Sequence, residues 1–259
     1  ESEGNVALEA AKDFDTRFVE DDGYKDRSAA DYRLTAKGRG QAEAAGQWLK
    51  DWMIRRGLER FDRMYCSPFA RTRETAACLG LWDAEWQLEP LLRERDWGLW
   101  EGRAKSDTRK LFRDSFEQKS RNRFLWRPEC GESTPDLDLR AREMFATFAR
   151  ELSGKTVLCV THEDVMWAIK FRLEKLTIDE WTNAVEDDAG GIPNCGILHY
   201  TRRLNDGSVS PKFAGVRLID PADRTAGTGW QLIERPRFSN EELAEQVGQI
   251  KHLWDGEFA

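Results

Sequence analysis

Cys66-Ser67-Pro68-Phe69-Ala70-Arg71-Thr72-Arg73-Glu74-Thr75-Ala76 is where the architecture can be read most directly. Asp62 to Cys66 has the makings of a short strand, and the residues after it read as a helix start. Serine suits the cap, and proline suits the first turn, where its missing N–H costs nothing. An arginine in that first turn brings a guanidinium fork to the positive end of the helix dipole, so two anion-binding devices converge on one point. Ligands of open α/β sheets bind at such strand-to-helix junctions.

The same alternation continues on both sides. Leu34-Thr35 leads into a helix whose Ala45, Trp48, Leu49, Trp52 and Met53 repeat with the spacing of one buried face, and Gly57 marks its stop. Gln87 to Leu92 reads as a further strand. Leu137, Ala141, Phe145, Phe148, Ala149 and Leu152 define another amphipathic helix, followed by Thr156-Val157-Leu158-Cys159-Val160, the continuous apolar run of a strand buried on both faces. Thr177-Ile178-Asp179-Glu180 has the form of a capping box. Cys195 to Tyr200 and Phe213 to Ile219 read as strands of a hairpin turning at Asn205-Asp206-Gly207. Ser239-Asn240-Glu241-Glu242 is a second capping box, with Phe238 and Leu243 at the staple positions, opening a helix that carries Leu243, Val247, Ile250 and Trp254 on one side. Alternating strands and helices predict an α/β sandwich in a single domain, residues 1–259, with a C-terminal helical extension at about 239–254.

Composition narrows the function. With 259 residues, 40% of them hydrophobic, the chain can bury a full core, and no apolar run approaches the ~18 residues of a membrane span. A net charge of -7 argues against general nucleic-acid binding while leaving room for a local pocket that takes an anion. Five scattered cysteines without CxxC spacing suggest neither a disulfide framework nor a zinc site, and point to a reducing, cytoplasmic setting.

Taken in order, Glu1-Ser2-Glu3-Gly4-Asn5, Leu34 to Ala42, Ser67 to Ala76, Leu92-Arg93-Glu94-Arg95-Asp96-Trp97-Gly98 and Val160-Thr161-His162 resemble the histidine phosphatase superfamily, the phosphoglycerate-mutase-like enzymes. The resemblance implies a three-layer α/β/α sandwich around a mostly parallel mixed sheet. It also implies a phosphohistidine mechanism without metal or cofactor, acting on a small phosphorylated, anionic substrate. By the same resemblance Arg71 holds phosphate, His162 is the second histidine that stabilises the phosphoryl group, and Ser2 and Asn5 end the phosphate loop. Glu94 becomes the proton donor to the leaving group; for that its pKa must be raised, and Trp97 and Trp100 are the nearby groups able to dry its surroundings. Glu163 is the rival donor, because acid-phosphatase relatives place a carboxylate beside the second histidine. Glu163-Asp164 stand where the family usually has glycine, and two carboxylates there repel phosphate unless they turn outward or stay protonated.

The family's first strand ends in Arg-His-Gly, whose histidine is the nucleophile, and the match here starts one residue too late for it. A chain without that central strand would leave two unpaired edges inside its core, so the expectation is an apolar strand ending Arg-His-Gly just upstream of Glu1. Between Arg103 and Arg127 nine basic residues face three acids, and the family folds this region, about 103–130, over the pocket; a lid selecting an anionic substrate and a plain solvated helix face both fit. Phosphomonoesterase is the leading reading. A phosphomutase and a catalytically inactive scaffold of the same fold are the alternatives, and nothing in the sequence names an oligomeric state.

Overall fold

The computed structural model describes residues 1–12, 27–103, 105–187, 191–204, 206–223, 228–234, 237–248 and 250. Its helices are α1 (Glu3–Lys12), α2 (Ala36–Arg56), α3 (Ala70–Cys78), α4 (Lys105–Leu111), α5 (Arg113–Arg121), α6 (Thr134–Glu151), α7 (Glu163–Glu174), α8 (Ile178–Glu186) and α9 (Asn240–Gly248). Thr35 caps α2 by accepting the Gly38 N–H, and Gly57 ends it in the left-handed conformation at φ +63°, which the side chain of any other residue would resist.

Three parallel strands come from the motif-bearing part of the chain. β1 (Arg63–Cys66) lies between β2 (Trp86–Leu88) and β3 (Val157–Val160), with Tyr65 opposite both Gln87 and Cys159. Successive side chains alternate between two helical layers, as a pleat requires. Met64, Leu158 and Val160 pack with Ala45, Leu49 and Met53 of α2, whereas Tyr65, Val157 and Cys159 pack with Ala141 and Met144 of α6 and Val165 and Ile169 of α7. The chain is therefore an α/β protein whose parallel sheet has helices on both sides. At Gly46 a Cβ would sit 2.0 Å from the Leu79 carbonyl oxygen, so a side chain there would push α2 off the end of α3.

The other strands, β4 (Ile197–Thr201), β5 (Gly215–Ile219) and β6 (Gln231–Leu232), form an antiparallel sheet in that order. Ile197 joins the α2 layer and Tyr200 the α6–α7 layer, so both sheets lie between the same two helical layers. Among the described residues no ladder joins β3 to β4. A cavity of about 1980 Å³ runs along both strands, lined by 157–161 and 195–203 and walled by Trp48 and Trp52 of α2 and Phe145 and Phe148 of α6. The mixed sheet is present as two half-sheets, and the facing edges of β3 and β4 are the unpaired edges expected of a chain without the family's first strand.

Several local expectations change for identifiable reasons. β3 is half-buried along its length rather than buried on both faces, because its free edge opens on that cavity. The strand expected over Gln87 to Leu92 ends at Leu88, and Pro90–Leu92 forms a 3₁₀ turn, since Pro90 has no N–H for a ladder and Glu89 caps the Leu91 N–H instead. Helix α3 begins at Ala70, with Phe69 and not Ser67 at its cap. The hairpin forms, closed by the Gly207 N–H to Leu204 O bond and an Arg203–Val209 bridge, though Asn205 lies outside the described residues. The Ser239–Glu242 box also forms, but Leu243 (47% exposed), Val247 (62%) and Ile250 (69%) face outward. Trp254 and the end of the expected extension lie outside the described residues.

Candidate active site

Each of the three parallel strands delivers one residue to a common point at its carboxyl end. Arg71 stands in the first turn of α3 after β1, Glu94 follows the 3₁₀ turn after β2, and His162 is the N-cap residue of α7 after β3. β1 precedes β2 in the chain but lies between it and β3, so the connection from β2 to β3 must pass back over β1, which opens a crevice at these ends. Glu94 Oε2 lies 3.3 Å from Arg71 Nη2 and 3.3 Å from His162 Nδ1. The other guanidinium nitrogen of Arg71 donates to Ala29 O at 2.6 Å, and the Phe69 ring supports the guanidinium at 5.0 Å. His162 is 5% exposed, and its Nε2 is 2.8 Å from Ser67 Oγ.

The electrostatics of this cluster correct one expectation. Burial pushes the Glu94 carboxyl up, but the facing His162 and Arg71 outweigh it and hold the group at about 2, so Glu94 is ionised here rather than a poised acid. His162 is lowered, chiefly because burial penalises its cation. The ring can be neutral and still face Glu94, since Nδ1–H is polarised in either state. The pair thus places a carboxylate where an incoming anion would meet the same two donors.

Behind Glu94 a second layer fixes the backbone. Arg140 of α6 donates to the carbonyls of Leu91 (2.7 Å), Arg93 (3.1 Å) and Glu94 (3.4 Å) while bonding both carboxylate oxygens of Glu132. Glu132 also takes Arg93 and the Asp96 N–H. Thr161 Oγ1 donates to Leu92 O at 2.8 Å, tying the end of β3 to the same segment.

Of the remaining expected residues, Ser2 and Asn5 line the cavity and bond each other, with Asn5 Oδ1 accepting from the Ser2 N–H (2.8 Å) and Oγ (2.9 Å). Glu163 also lines it at the start of α7, its carboxyl raised by partial burial of the carboxyl end and by Glu94 against a lowering bond from Trp167 Nε1–H. Asp164 is raised further, to about 6, by burial first and then by Glu94. The carboxylates that follow His162 are thus shifted toward the protonated form that an anion tolerates. Trp97 and Trp100 line the same cavity as Glu94, whose burial is the largest single influence on its carboxyl and is outweighed only by the facing charges together. The two indoles pack at tilted angles against Trp126 around Arg95 and Lys119, whose ammonium is 4.8 Å from the Trp126 ring and 5.5 Å from each of the other two. Of the basic residues between 103 and 127, Arg103, Lys119 and Arg123 line the cavity, whereas the exposed Arg109, Lys110 and Arg113 are not part of its wall.

Sequence reasoning missed Ser67 and Arg140. Ser67 was read as a helix cap from its place before Pro68, and Arg140 lies in a helix whose apolar spacing drew the attention. Among the described residues no cluster of three or more His, Cys, Asp or Glu could hold a metal ion, and no helix is long and apolar enough to cross a membrane.

An arginine, a histidine and a carboxylate gathered at the carboxyl ends of a parallel sheet suit a phosphoryl-handling α/β protein. The model of the histidine phosphatase superfamily (branch 1) matches residues 22–200, and the chain belongs to that family. It is 31% identical over 185 residues to a 2,3-bisphosphoglycerate-dependent phosphoglycerate mutase of Bartonella henselae, covering 69% of this chain and 84% of that one. Two solved structures share the fold. One is a mycobacterial glucosyl-3-phosphoglycerate phosphatase with inorganic phosphate (TM-score 0.55, 20% identity, 80% of this chain and 88% of that chain). The other is the alpha-ribazole phosphatase from Shigella flexneri (TM-score 0.52, 21% identity, 80% and 86%).

Proposed function

We propose that the protein is a phosphomonoesterase working through a phosphohistidine. The observation that carries this reading is the convergence of Arg71, Glu94 and His162, from three separate strand ends, on one point of a cavity large enough for more than a substrate. Its 1980 Å³ exceeds the roughly 300–1,000 Å³ of ordinary small-molecule sites. The surplus runs between the free edges of β3 and β4, where an extended segment would pair on both sides and join the half-sheets. Trp52 Nε1, buried on the cavity wall, has no hydrogen-bond partner among the described residues and would gain one from such a backbone. The apolar strand ending in Arg-His-Gly that the family resemblance implies would suit this space, and its nucleophilic histidine would then stand beside His162 and Arg71.

The chemistry follows from the charges. A phosphate dianion takes over the Arg71 and His162 donors from Glu94, and its charge drives the Glu94 pKa upward, turning an ionised carboxylate into an acid. As the nucleophile forms its N–P bond, the P–O bond to the leaving group breaks and Glu94 gives that oxygen a proton. Water then attacks phosphorus, returns a proton to Glu94, breaks the N–P bond and releases inorganic phosphate. Arg103, Arg123 and Lys119, the last over the indoles of Trp97 and Trp100, line the cavity on the side of the basic segment and favour an anionic leaving group.

Mutase activity is the second reading, favoured by the identity to the Bartonella enzyme; it differs only in passing the phosphoryl group to a second hydroxyl instead of water. The test is to incubate the full-length protein with an aryl phosphate and with 3-phosphoglycerate, following inorganic phosphate and isomerised product separately. Phosphate release that is lost in Arg71→Ala supports the phosphatase. Isomerisation without release selects the mutase, and neither product, with no acid-labile phosphoenzyme, selects the inactive scaffold.

A further inference from the structure

We propose that Ser67 is a positioning residue that decides which nitrogen of His162 meets the phosphoryl group; this role rests on the phosphoryl-transfer reading above. Ser67 is fully buried, and its hydroxyl lies 2.8 Å from Nε2 of the equally enclosed His162. Its backbone is pinned from two elements. The Ser67 N–H donates to Val160 O of β3 (2.9 Å), and Ser67 O accepts from Thr72 Oγ1 of α3 (3.0 Å). The Phe69 ring meets the imidazole edge-on at 5.1 Å and limits its rotation. The hydroxyl is therefore a fixed point against which the ring is set.

The proton assignment follows from the opposite side of the ring. Nδ1 is 3.3 Å from Glu94 Oε2, and an ionised carboxylate offers no hydrogen, so Nδ1 carries one. In the neutral ring Nε2 is then bare and accepts the Ser67 O–H. When the ring becomes a cation, Nε2–H donates to the same oxygen, because a hydroxyl both gives and accepts. An amide or carboxylate at position 67 would suit one state at the expense of the other. The charges acting on the ring come from Glu94, Arg71 and Arg140, whereas Ser67 is neutral and contributes direction. With Nε2 engaged behind it, the ring presents Nδ1–H to the point where a phosphoryl oxygen displaces the Glu94 oxygen, and it keeps that orientation as its charge changes during turnover.

The test is ¹⁵N NMR of the imidazole nitrogens in wild type, Ser67→Ala and Ser67→Thr, with and without inorganic phosphate, alongside kinetics on an aryl phosphate. The expected result is the Nδ1–H tautomer for His162 in wild type and Ser67→Thr, and a tautomer mixture in Ser67→Ala. In kinetics, kcat in Ser67→Ala falls roughly 10- to 100-fold, the scale for groups that orient a functional histidine, with KM nearly unchanged and recovery in Ser67→Thr. A wild-type His162 in the Nε2–H form overturns the proposal whether or not the alanine variant folds, and so does an alanine variant with unchanged tautomer and kcat. A wild type that neither binds phosphate nor turns over an ester defeats the functional reading instead, while the tautomer result still judges the Ser67–His162 geometry.

Discussion

The parallel and antiparallel halves of the molecule each hold a histidine with a lowered pKa and an arginine nearby, yet only one of them is built as a site. His162 stands at a strand end and helix start, with Ser67 and Glu94 on its two nitrogens and Arg71 beside Glu94. His199 sits within β4 between Trp52 (5.2 Å) and Trp230 (4.8 Å), its Nδ1 3.2 Å from Arg217, and burial followed by that guanidinium drives it down to about 4. Burial perturbs both rings. What separates them is the set of partners: a carboxylate and a hydroxyl leave His162 able to gain and lose charge, whereas two indoles and a cation keep His199 neutral.

The largest expected contrast is between the two alanine variants. His162→Ala should reduce kcat on an aryl phosphate by about 10³-fold, within the range for lost oxyanion donors. His199→Ala should leave kcat within about threefold and lower stability by roughly 1–3 kcal/mol in urea titration, through its two aromatic contacts. Equal losses of activity in both would break the comparison.

Next in size is Glu94→Gln, which keeps the shape and removes the proton. We expect a kcat loss of about 10²- to 10⁴-fold for an alkyl phosphate and a much smaller one for an activated aryl ester, whose leaving group needs no acid. A uniform loss would make Glu94 an organiser of Arg71 and His162 only. Lys119→Ala with Arg123→Ala should then raise KM about tenfold for a carboxylate-bearing phosphate ester, leave a neutral aryl ester nearly unaffected, and exceed the effect of changing Arg109, Lys110 and Arg113 together. The reverse ranking would make the basic segment a solvated surface.

The smallest effects lie in the pH dependence of stability, where the two histidines share one window and Glu94 acts in another. His199 is lowered from 6.5 to about 4, so the unfolded chain takes up the proton first and stability declines as pH falls from 6.5 to about 4. His162, also lowered, adds to that decline. Glu94 is lowered from 4.5 to about 2, so its contribution is complete above pH 4.5 and is lost below it. Melting temperatures against pH should therefore flatten between 6.5 and 4 in His199→Asn, and below 4.5 in Glu94→Gln.

Legibility in the sequence followed the range of the interaction. Thr35 and Gly57 bracket α2 through local backbone chemistry, the boxes at Thr177 and Ser239 form as spaced, and Arg71, Glu94 and His162 could be picked out because each belongs to a short motif at a strand end. Ser67 was misread because a serine before proline is a good cap in isolation, and nothing nearby shows that its hydroxyl is claimed from 95 residues away. Glu94 is lowered rather than raised for a similar reason: burial does act on it, but the deciding charges come from His162 and Arg71, distant in sequence.

Residue types and periodicity determined the α/β class and the helices capped at Thr35, Thr177 and Ser239, because these depend on backbone geometry within a few residues, whereas resemblance to the family pointed to Arg71, Glu94 and His162. Tertiary structure alone decided the ionised state of Glu94 and the pairing of Ser67 with His162. Those depend on which distant groups meet in a low-dielectric interior, where a contact of about 3 Å sets a proton's position and no local pattern encodes the partner.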